Sequence, residues 1–174
     1  MHKTHPVGRM FDFLLDRLAT LTVNAGIRIK QRHLRRHVAT FPDIDRSVAF
    51  GPNVIILAPP GSVSIGCGSY INDGILSASE ECPLRIGERC AIGYRVSIKA
   101  VTHDLKNPAP DATGAIAHKC APITIGDRCW IGDNVFLREG ITLGDDVVVG
   151  ANSVVTKSFP SGSVVAGVPA KLIR

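Results

Sequence analysis

Aromatic residues are scarce in this chain: they make up 5% of its 174 residues, whereas 45% of the residues are hydrophobic. A core of this composition has to be aliphatic, and β-branched side chains pack well in short strands that stack in register. No apolar stretch approaches the roughly 20 residues that a transmembrane helix needs. The composition therefore predicts one domain, with room for a small appendage, and no membrane span.

The five cysteines lack the spacing of a metal site, because they form no CxxC pair and no zinc-binding pattern. Their number is odd, and the polar first ten residues do not have the character of a secretory signal. Reduced thiols in a cytoplasmic protein are the simplest interpretation. A β-helical zinc enzyme would need three histidine ligands, and only His103 and His118 follow residue 37. We therefore expect no metal.

The net charge of +5 is unevenly distributed along the chain. Eight of the 20 basic residues but only two of the 15 acidic ones fall in residues 1–41, so the rest of the chain is nearly neutral. A basic segment of this kind suits anionic lipid, an acidic partner or nucleic acid. Nucleic acid is the least favoured of the three, because no aromatic residues alternate with the charges and no recognition motif is present.

Residues 1–43 are expected to form a basic amphipathic helical segment. Within residues 8–40, apolar side chains recur at steps of three and four, on one face of a helix: Phe11, Leu14, Leu15, Leu18 and Leu21. The segment ends before Pro42, because the residue preceding a proline leaves the helical region. The helix either packs over one end of the main domain or lies on a membrane surface, which would place the protein at the inner face of the membrane.

A period of six residues governs residues 44–174. Aliphatic residues keep one phase without a break over the last part of the chain: Ile125, Ile131, Leu137, Leu143, Val149 and Val155. Neither the helical period of 3.6 nor the strand period of 2 produces this pattern, which indicates stacked repeats. We predict a short strand and a corner every six residues. Three strands then close one triangular coil, and the stacked coils bury an aliphatic column.

The residues after each aliphatic position predict how the corner is built. Glycine follows directly in six of the repeats, and a polar pair that often contains Asp comes next. Glycine, Asp and Asn tolerate the left-handed backbone that we expect at the corner. Cys90 and Cys129 occupy the same phase as Val147 and Ser153, which predicts small interior residues without chemistry.

The period is interrupted at residues 99–121, which we predict to be an excursion loop. This stretch contains Pro108, Pro110 and Gly114, and the repeat resumes at Pro122. A long loop inside an otherwise strict repeat is usually functional. His103 lies at the root of the loop and is the candidate general base, since a neutral imidazole suits removal of a hydroxyl proton. His118 lies near its far end and is expected to be a solvent-exposed loop residue.

The stretch PITIGDRCWIGDNVFLREGITLGDDVVVGANSVVTKSFPSGSVVAGVPAKLIR, residues 122–174, resembles the C-terminal half of hexapeptide-repeat acyltransferases. The resemblance is to maltose and galactoside, nodulation-factor and polysaccharide O-acetyltransferases, and it extends more loosely back to about residue 48. It implies an all-β fold, a left-handed parallel β-helix, preceded here by the helical segment. It also implies a homotrimer with active sites at the subunit interfaces, acetyl-CoA as acyl donor, and His103 as the catalytic base.

The resemblance also assigns substrate-binding positions. Asn72 and Asp73 fall where relatives carry an acceptor-binding asparagine, although a structural role at a corner is an equal alternative. Some relatives have a carboxylate shortly before the PITIG segment, whereas residues 115–121 of this chain contain no acid. The positions matching the coenzyme contacts of the family are Trp130, Asp133, Ala151, Thr156, Lys157, Lys171 and Arg174.

These features predict an acetyl-CoA-dependent enzyme that transfers an acetyl group to a hydroxyl of a saccharide or of a saccharide-containing acceptor. Two alternatives stay open at this stage. A histidine base also serves an amine, so the product could be the N-acetyl form of an amino sugar or of a nucleotide-linked amino sugar. A catalytically silent β-helix that binds a partner through its basic segment is the other alternative.

Overall fold

The computed structural model of the protein describes residues 6–104 and 117–174, with helix side chains from residue 15 onward. In these two ranges, one helix precedes sixteen strands. The elements are α1 (Pro6–Val38), β1 (Ala49–Leu57), β2 (Val63–Ile65), β3 (Tyr70–Ser77), β4 (Leu84–Ile86), β5 (Ala91–Ile92), β6 (Val96–Lys99), β7 (Val101–His103), β8 (His118–Cys120), β9 (Ile123–Ile125), β10 (Trp130–Ile131), β11 (Phe136–Leu137), β12 (Thr142–Leu143), β13 (Val148–Val149), β14 (Val154–Val155), β15 (Val164–Gly167) and β16 (Ala170–Leu172).

The strands stack into a prism with three faces. The first face contains the parallel strands β2, β4, β9 and β12. The second face contains the start of β3, then β5, β10, β13 and β15. The third face contains the end of β1, the end of β3, and then β6, β11 and β14. The predicted left-handed parallel β-helix with an N-terminal helix is confirmed, with about five turns.

The six-residue period corresponds to one strand and one corner, as predicted. The aliphatic residues of the repeat point inward and form one continuous buried column, with Ile92, Ile131 and Leu143 fully buried. Cys90 and Cys129 are stacked in adjacent coils and are buried, which confirms them as interior residues. The hydrogen bond with Cys90, together with burial, raises the pKa of the Cys129 thiol, so this thiol stays protonated near neutral pH.

The corners differ from the prediction in one respect. The left-handed backbone lies two residues after the repeated glycine, and its occupants include arginines as well as Asp and Asn: Arg89, Arg95, Arg128, Asn134, Asp146 and Asn152. The repeated glycines are required for close approach between coils instead. A Cβ on Gly87 would lie 2.3 Å from the Asp127 carboxylate, and one on Gly126 would lie 2.4 Å from that of Asp145.

Among its residues from 15 onward, helix α1 packs on the β-helix through its last third. Leu34 is buried, the His37 ring lies 3.1 Å from the Ile56 carbonyl oxygen, and the Lys30 ammonium donates to the Asn53 side chain at 3.2 Å. From residue 15 to residue 29 the described apolar side chains of the helix are exposed, among them Leu18 and Leu21. Within the described parts of the chain, no helix combines the length and the apolar character needed to cross a membrane.

Candidate active site

The interruption of the repeat begins and ends in a short antiparallel hairpin. Strands β7 and β8 pair, with His103 directly opposite His118, and the Asp104 amide donates to the Ala117 carbonyl at 2.9 Å. The two imidazole rings lie 5.1 Å apart, centroid to centroid, with 35° between their planes. Both side chains are exposed. His118 is therefore exposed as predicted, but it lies in a strand against His103 instead of in a distant part of the loop.

Strand β8 is tied to the body of the β-helix through Lys119. The Lys119 ammonium lies 3.1 Å from the carboxylate of Glu139, which also accepts a hydrogen bond of 2.6 Å from Arg138. Glu139 is buried although it is charged. Burial by itself would raise the pKa of the Glu139 carboxyl, but the hydrogen bonds from Arg138 and Lys119 outweigh it and hold this pKa below its usual value. The carboxylate therefore stays ionised at neutral pH.

The next residue of the same strand forms a disulfide. Cys120 is bonded to Cys82, which is buried in the turn before β4. The expectation that all cysteines are reduced thiols is therefore wrong for these two. The spacing of the cysteines could not predict this disulfide, because its two cysteines are 38 residues apart in the sequence and come together only in the folded chain. Cys67, Cys90 and Cys129 are free, as expected.

One corner of the prism, between the third and first faces, carries three of the predicted functional residues. After β6 the chain passes this corner and continues to His103. Thr156 and Lys157 directly follow β14 at the same corner, two coils further along the β-helix. Thr156 and Lys157 are exposed, and the Lys157 ammonium lies 5.5 Å above the Phe159 ring. We call this edge the Lys157 corner.

The opposite edge of the third face carries other predicted residues. Asn72 and Asp73 in β3, Asp133 after β10 and Ala151 after β13 stack along this edge, which we call the Asp133 corner. One carboxylate oxygen of Asp133 accepts a hydrogen bond from the Tyr94 amide at 2.8 Å, and the Asp133 carbonyl accepts one from the Asn152 amide. Asp133 therefore has a structural role in the corner, whatever it binds.

Trp130 and the two C-terminal basic residues lie on the second face, and Trp130 is two residues from the corner at Arg128. Trp130 points outward from β10 and is 59% exposed, in register between Ala91 and Val148. Strand β16 folds back antiparallel on β15, pairing Lys171 with Ala166, and the Arg174 carbonyl accepts a hydrogen bond from the Val164 amide. Both basic side chains are exposed.

A single chain thus presents three separate groups of predicted residues: those of the two corners, and Trp130, Lys171 and Arg174 on the second face. The four residues of β6 cross the third face between the two corners, a distance of roughly 13 Å at the usual rise per strand residue. His103, Thr156 and Lys157 lie at one edge, and Asn72, Asp73, Asp133 and Ala151 lie at the other. Sequence reasoning missed the contact of His118 with His103 and the Lys119–Glu139 pair, because both depend on how the chain returns to the β-helix.

The described parts of the chain contain no group of three His, Cys, Asp or Glu side chains arranged to hold a metal ion.

Comparison with known proteins identifies the family. A family model described as the hexapeptide repeat of succinyl-transferase matches residues 122–157. The chain is 33% identical over 132 residues to WcaF of Escherichia coli, an acetyltransferase assigned to colanic acid biosynthesis, with 75% of this chain and 68% of that protein covered. The chain therefore belongs to the hexapeptide-repeat acetyltransferase family.

Two further proteins illustrate the likeness. Galactoside O-acetyltransferase of Escherichia coli is 34% identical over 113 residues, which cover 65% of this chain and 54% of that protein. The chain thus spans about half the length of that relative. The hexapeptide-repeat acetyltransferase VCA0836 of Vibrio cholerae, solved in complex with acetyl-CoA, superposes with a TM-score of 0.62 at 27% identity. That superposition covers 86% of this chain and 84% of the solved one.

Proposed function

We propose that this protein transfers an acetyl group from acetyl-CoA to a hydroxyl of a saccharide or of a saccharide-containing acceptor. The observation that carries the proposal is an exposed histidine where the repeat is interrupted after β6, in a chain of the hexapeptide-repeat acetyltransferase family. Relatives named for galactoside and for colanic acid support a saccharide acceptor. The solved complex of VCA0836 with acetyl-CoA supports the donor.

In the proposed mechanism His103 is the general base. A ring nitrogen of His103 takes the acceptor hydroxyl proton while the oxygen attacks the thioester carbonyl of acetyl-CoA. The tetrahedral oxyanion is stabilised by a donor such as a backbone N–H group. It then collapses to the O-acetyl ester, and the departing CoA sulfur takes the proton from the imidazolium. No metal is required for any of these steps.

The test of this function is release of free CoA thiol from acetyl-CoA over a panel of saccharides and matched amino sugars. The proposal expects release with a hydroxyl-only sugar and recovery of its O-acetyl ester. Release only with the amino sugars, with an amide as product, would establish N-acetylation instead. Absence of release with every acceptor, from protein that still binds acetyl-CoA, would favour a binding protein.

The exposed basic residues of the C-terminal strand are proposed to hold the phosphates of the coenzyme, a task that needs fixed positive charge. Lys171→Ala and Arg174→Ala should each weaken acetyl-CoA binding about three- to tenfold and leave the maximal rate nearly unchanged. The reason is that the phosphates lie far from the reacting carbon in both ground and transition states. Calorimetric titration with acetyl-CoA, alongside steady-state kinetics, measures the two effects. Arg85→Ala, on the first face, is the matched control, and a lower maximal rate at unchanged KM would refute this role.

We also propose that the chain assembles as a homotrimer with a shared active site. The outward side chains of the second and third faces are largely apolar and include Tyr70, Trp130, Ile55, Ile75 and Phe136. The outward side chains of the first face are polar: Ser64, Arg85, Thr124 and Thr142. Two apolar faces per chain suit a closed ring in which the second face of one subunit meets the third face of the next. In parallel subunits that meet in this way, the Asp133 corners of two neighbours come together, and the start of the second face, where Trp130 lies, faces the Lys157 corner of the neighbour.

A membrane contact through α1 is the remaining part of the proposal. Leu18 and Arg36 are 18 residues apart, or five helical turns, so they lie on the same side of the helix. Leu34, which packs on the β-helix, is 16 residues from Leu18 and therefore about 160° away around the axis. The exposed stripe of Leu18, Leu21 and Ile29 thus faces away from the protein's own body.

Arginines continue the same outward side toward the base of the helix. Arg28, Arg32, Arg35 and Arg36 line one shallow cavity, and none of them has an ion pair within residues 15–104 and 117–174. A second copy of this helix would bring like charges together. An anionic bilayer offers both acyl chains and phosphate groups, so we infer that α1 contacts the inner face of the membrane from the cytoplasm. Cys82–Cys120 would then be one of the uncommon disulfides of a reducing compartment.

Vesicle co-sedimentation tests the membrane contact. The protein should bind phosphatidylglycerol vesicles, not phosphatidylcholine vesicles, and should be released by high salt. The double variant Arg32→Glu/Arg36→Glu should lower the partition coefficient about thirtyfold or more, since each basic residue near the surface contributes about 1 kcal/mol. The matched double variant Arg85→Glu/Arg89→Glu, on the β-helix, should bind as the wild type does. Equal loss in both double variants, or equal binding to both lipids, would contradict an α1 contact.

A further inference from the structure

The strand opposite His103 is held more firmly than a loop usually is. Three consecutive residues of β8 each make a different contact: His118 with the His103 ring, Lys119 with buried Glu139, and Cys120 with Cys82. The Ala121 amide then donates to the Ala100 carbonyl at 3.0 Å, which closes the base of the hairpin. The three residues that follow His118 therefore fix its backbone to the β-helix.

His103 itself has few restraints of its own. It is the last residue of β7, and its side chain is exposed. Among the described residues, the ring contact recorded for His103 is the one with His118, at 5.1 Å between centroids. A general base has to be held within a narrow range of positions, because a displacement of about 1 Å can lower a rate roughly a hundredfold.

We propose that His118 is a positioning residue for His103. Its ring packs against the His103 imidazole and limits the orientations that the base can adopt, while Lys119 and Cys120 hold His118 in place. The proposal rests on the role of His103 put forward above. It assigns to His118 no proton transfer: the contact is between ring surfaces, and the ring itself, not its nitrogens, is the part that acts.

Paired substitutions separate ring packing from chemistry. His118→Ala should lower kcat about ten- to a hundredfold with the KM for acetyl-CoA unchanged, because the base is less well oriented while the coenzyme contacts are intact. His118→Phe keeps a ring of similar size and should retain kcat within about threefold of the wild type. His33→Ala, at an exposed histidine of α1, controls for loss of a histidine as such. Unchanged kcat in His118→Ala, or equal loss in the Ala and Phe variants, would overturn the proposal.

A spectroscopic measurement decides the packing independently of catalysis. In protein labelled with ¹³C-histidine, the carbon-bound ring protons of His103 should shift in His118→Ala and stay near their wild-type positions in His118→Phe. If the wild type shows no acetyl transfer, the proposed function fails while these spectra still test the ring contact. His103 resonances that are unchanged in His118→Ala would show that the rings do not pack in solution.

Lys119→Met serves if the His118 variants do not fold, as judged by thermal unfolding and sedimentation. It leaves both histidines in place but removes the tie between β8 and Glu139, whose carboxylate keeps Arg138 as a partner. A lower kcat of about threefold or more with unchanged KM for acetyl-CoA supports the positioning role. A kcat equal to that of the wild type contradicts it.

Discussion

His103→Ala should lower acetyl transfer by about two to four orders of magnitude, the usual contribution of a positioned general base. A hydroxyl acceptor is a poor nucleophile until its proton is taken, and His103 is an exposed histidine at the start of the interruption of the repeat. Its side chain is exposed and forms no part of the aliphatic column. The variant should therefore keep its fold, its assembly and its affinity for acetyl-CoA.

The measurement is single-turnover transfer at saturating acetyl-CoA, with calorimetric titration of the same preparation. His33→Ala should match the wild type in both. If His103→Ala keeps more than about a tenth of the wild-type rate on the best acceptor, the base is another residue. His118 is then the next to consider, and full loss in both His118→Ala and His118→Phe would point to it.

Phe136→Arg should convert the trimer into a folded monomer of 18.5 kDa and lower transfer at least about a hundredfold. Phe136 is in register with Ser97 and Val154 on the outward side of the third face, so an arginine there would be buried without a partner in the assembly. Each chain would keep all of its predicted residues, but its Lys157 corner would lack the second face of a neighbour. Reacting groups that are no longer juxtaposed lose their catalytic advantage.

Analytical ultracentrifugation and circular dichroism check the assembly and the fold of this variant. Thr124→Arg is the matched control, since Thr124 also points outward from a half-buried strand position, but on the polar first face. It should stay trimeric and active. A Phe136→Arg monomer with wild-type activity would show that one chain contains a complete active site, and a wild-type monomer would refute the shared site from the start.

The fold was accessible from sequence because its information is local and repeated. One aliphatic position in every six residues determines which side chain faces inward, and Ile125, Ile131 and Leu143 are buried accordingly. The backbone of the corners was not accessible in the same way. A glycine that recurs in each repeat has two physical explanations: a left-handed backbone at that residue, or the close approach of a neighbouring coil. The sequence alone does not distinguish them. In Gly87 and Gly126 it is the approach of the next coil that excludes a side chain.

The neighbourhood of His103 was only half accessible for a related reason. Its position at the start of the interruption follows from where the period stops. Its contact with His118, the Lys119–Glu139 pair and the Cys82–Cys120 disulfide all depend on the return path of a loop that has no period of its own. An odd cysteine count favoured free thiols, yet an odd count still allows one pair. The two corners, likewise, become distinct only when the coils are closed in three dimensions.

The central claim is chemical, and the most direct measurement is the identity of the product. Protein incubated with ¹³C-acetyl-CoA and a hydroxyl-only saccharide should yield a ¹³C-acetyl ester of that saccharide, detected by mass spectrometry and removed by mild alkali. The His103→Ala protein should yield little of it under the same conditions. If the label appears only as an amide on amino sugars, or stays on CoA with every acceptor while the coenzyme is bound, the protein is not the O-acetyltransferase proposed here.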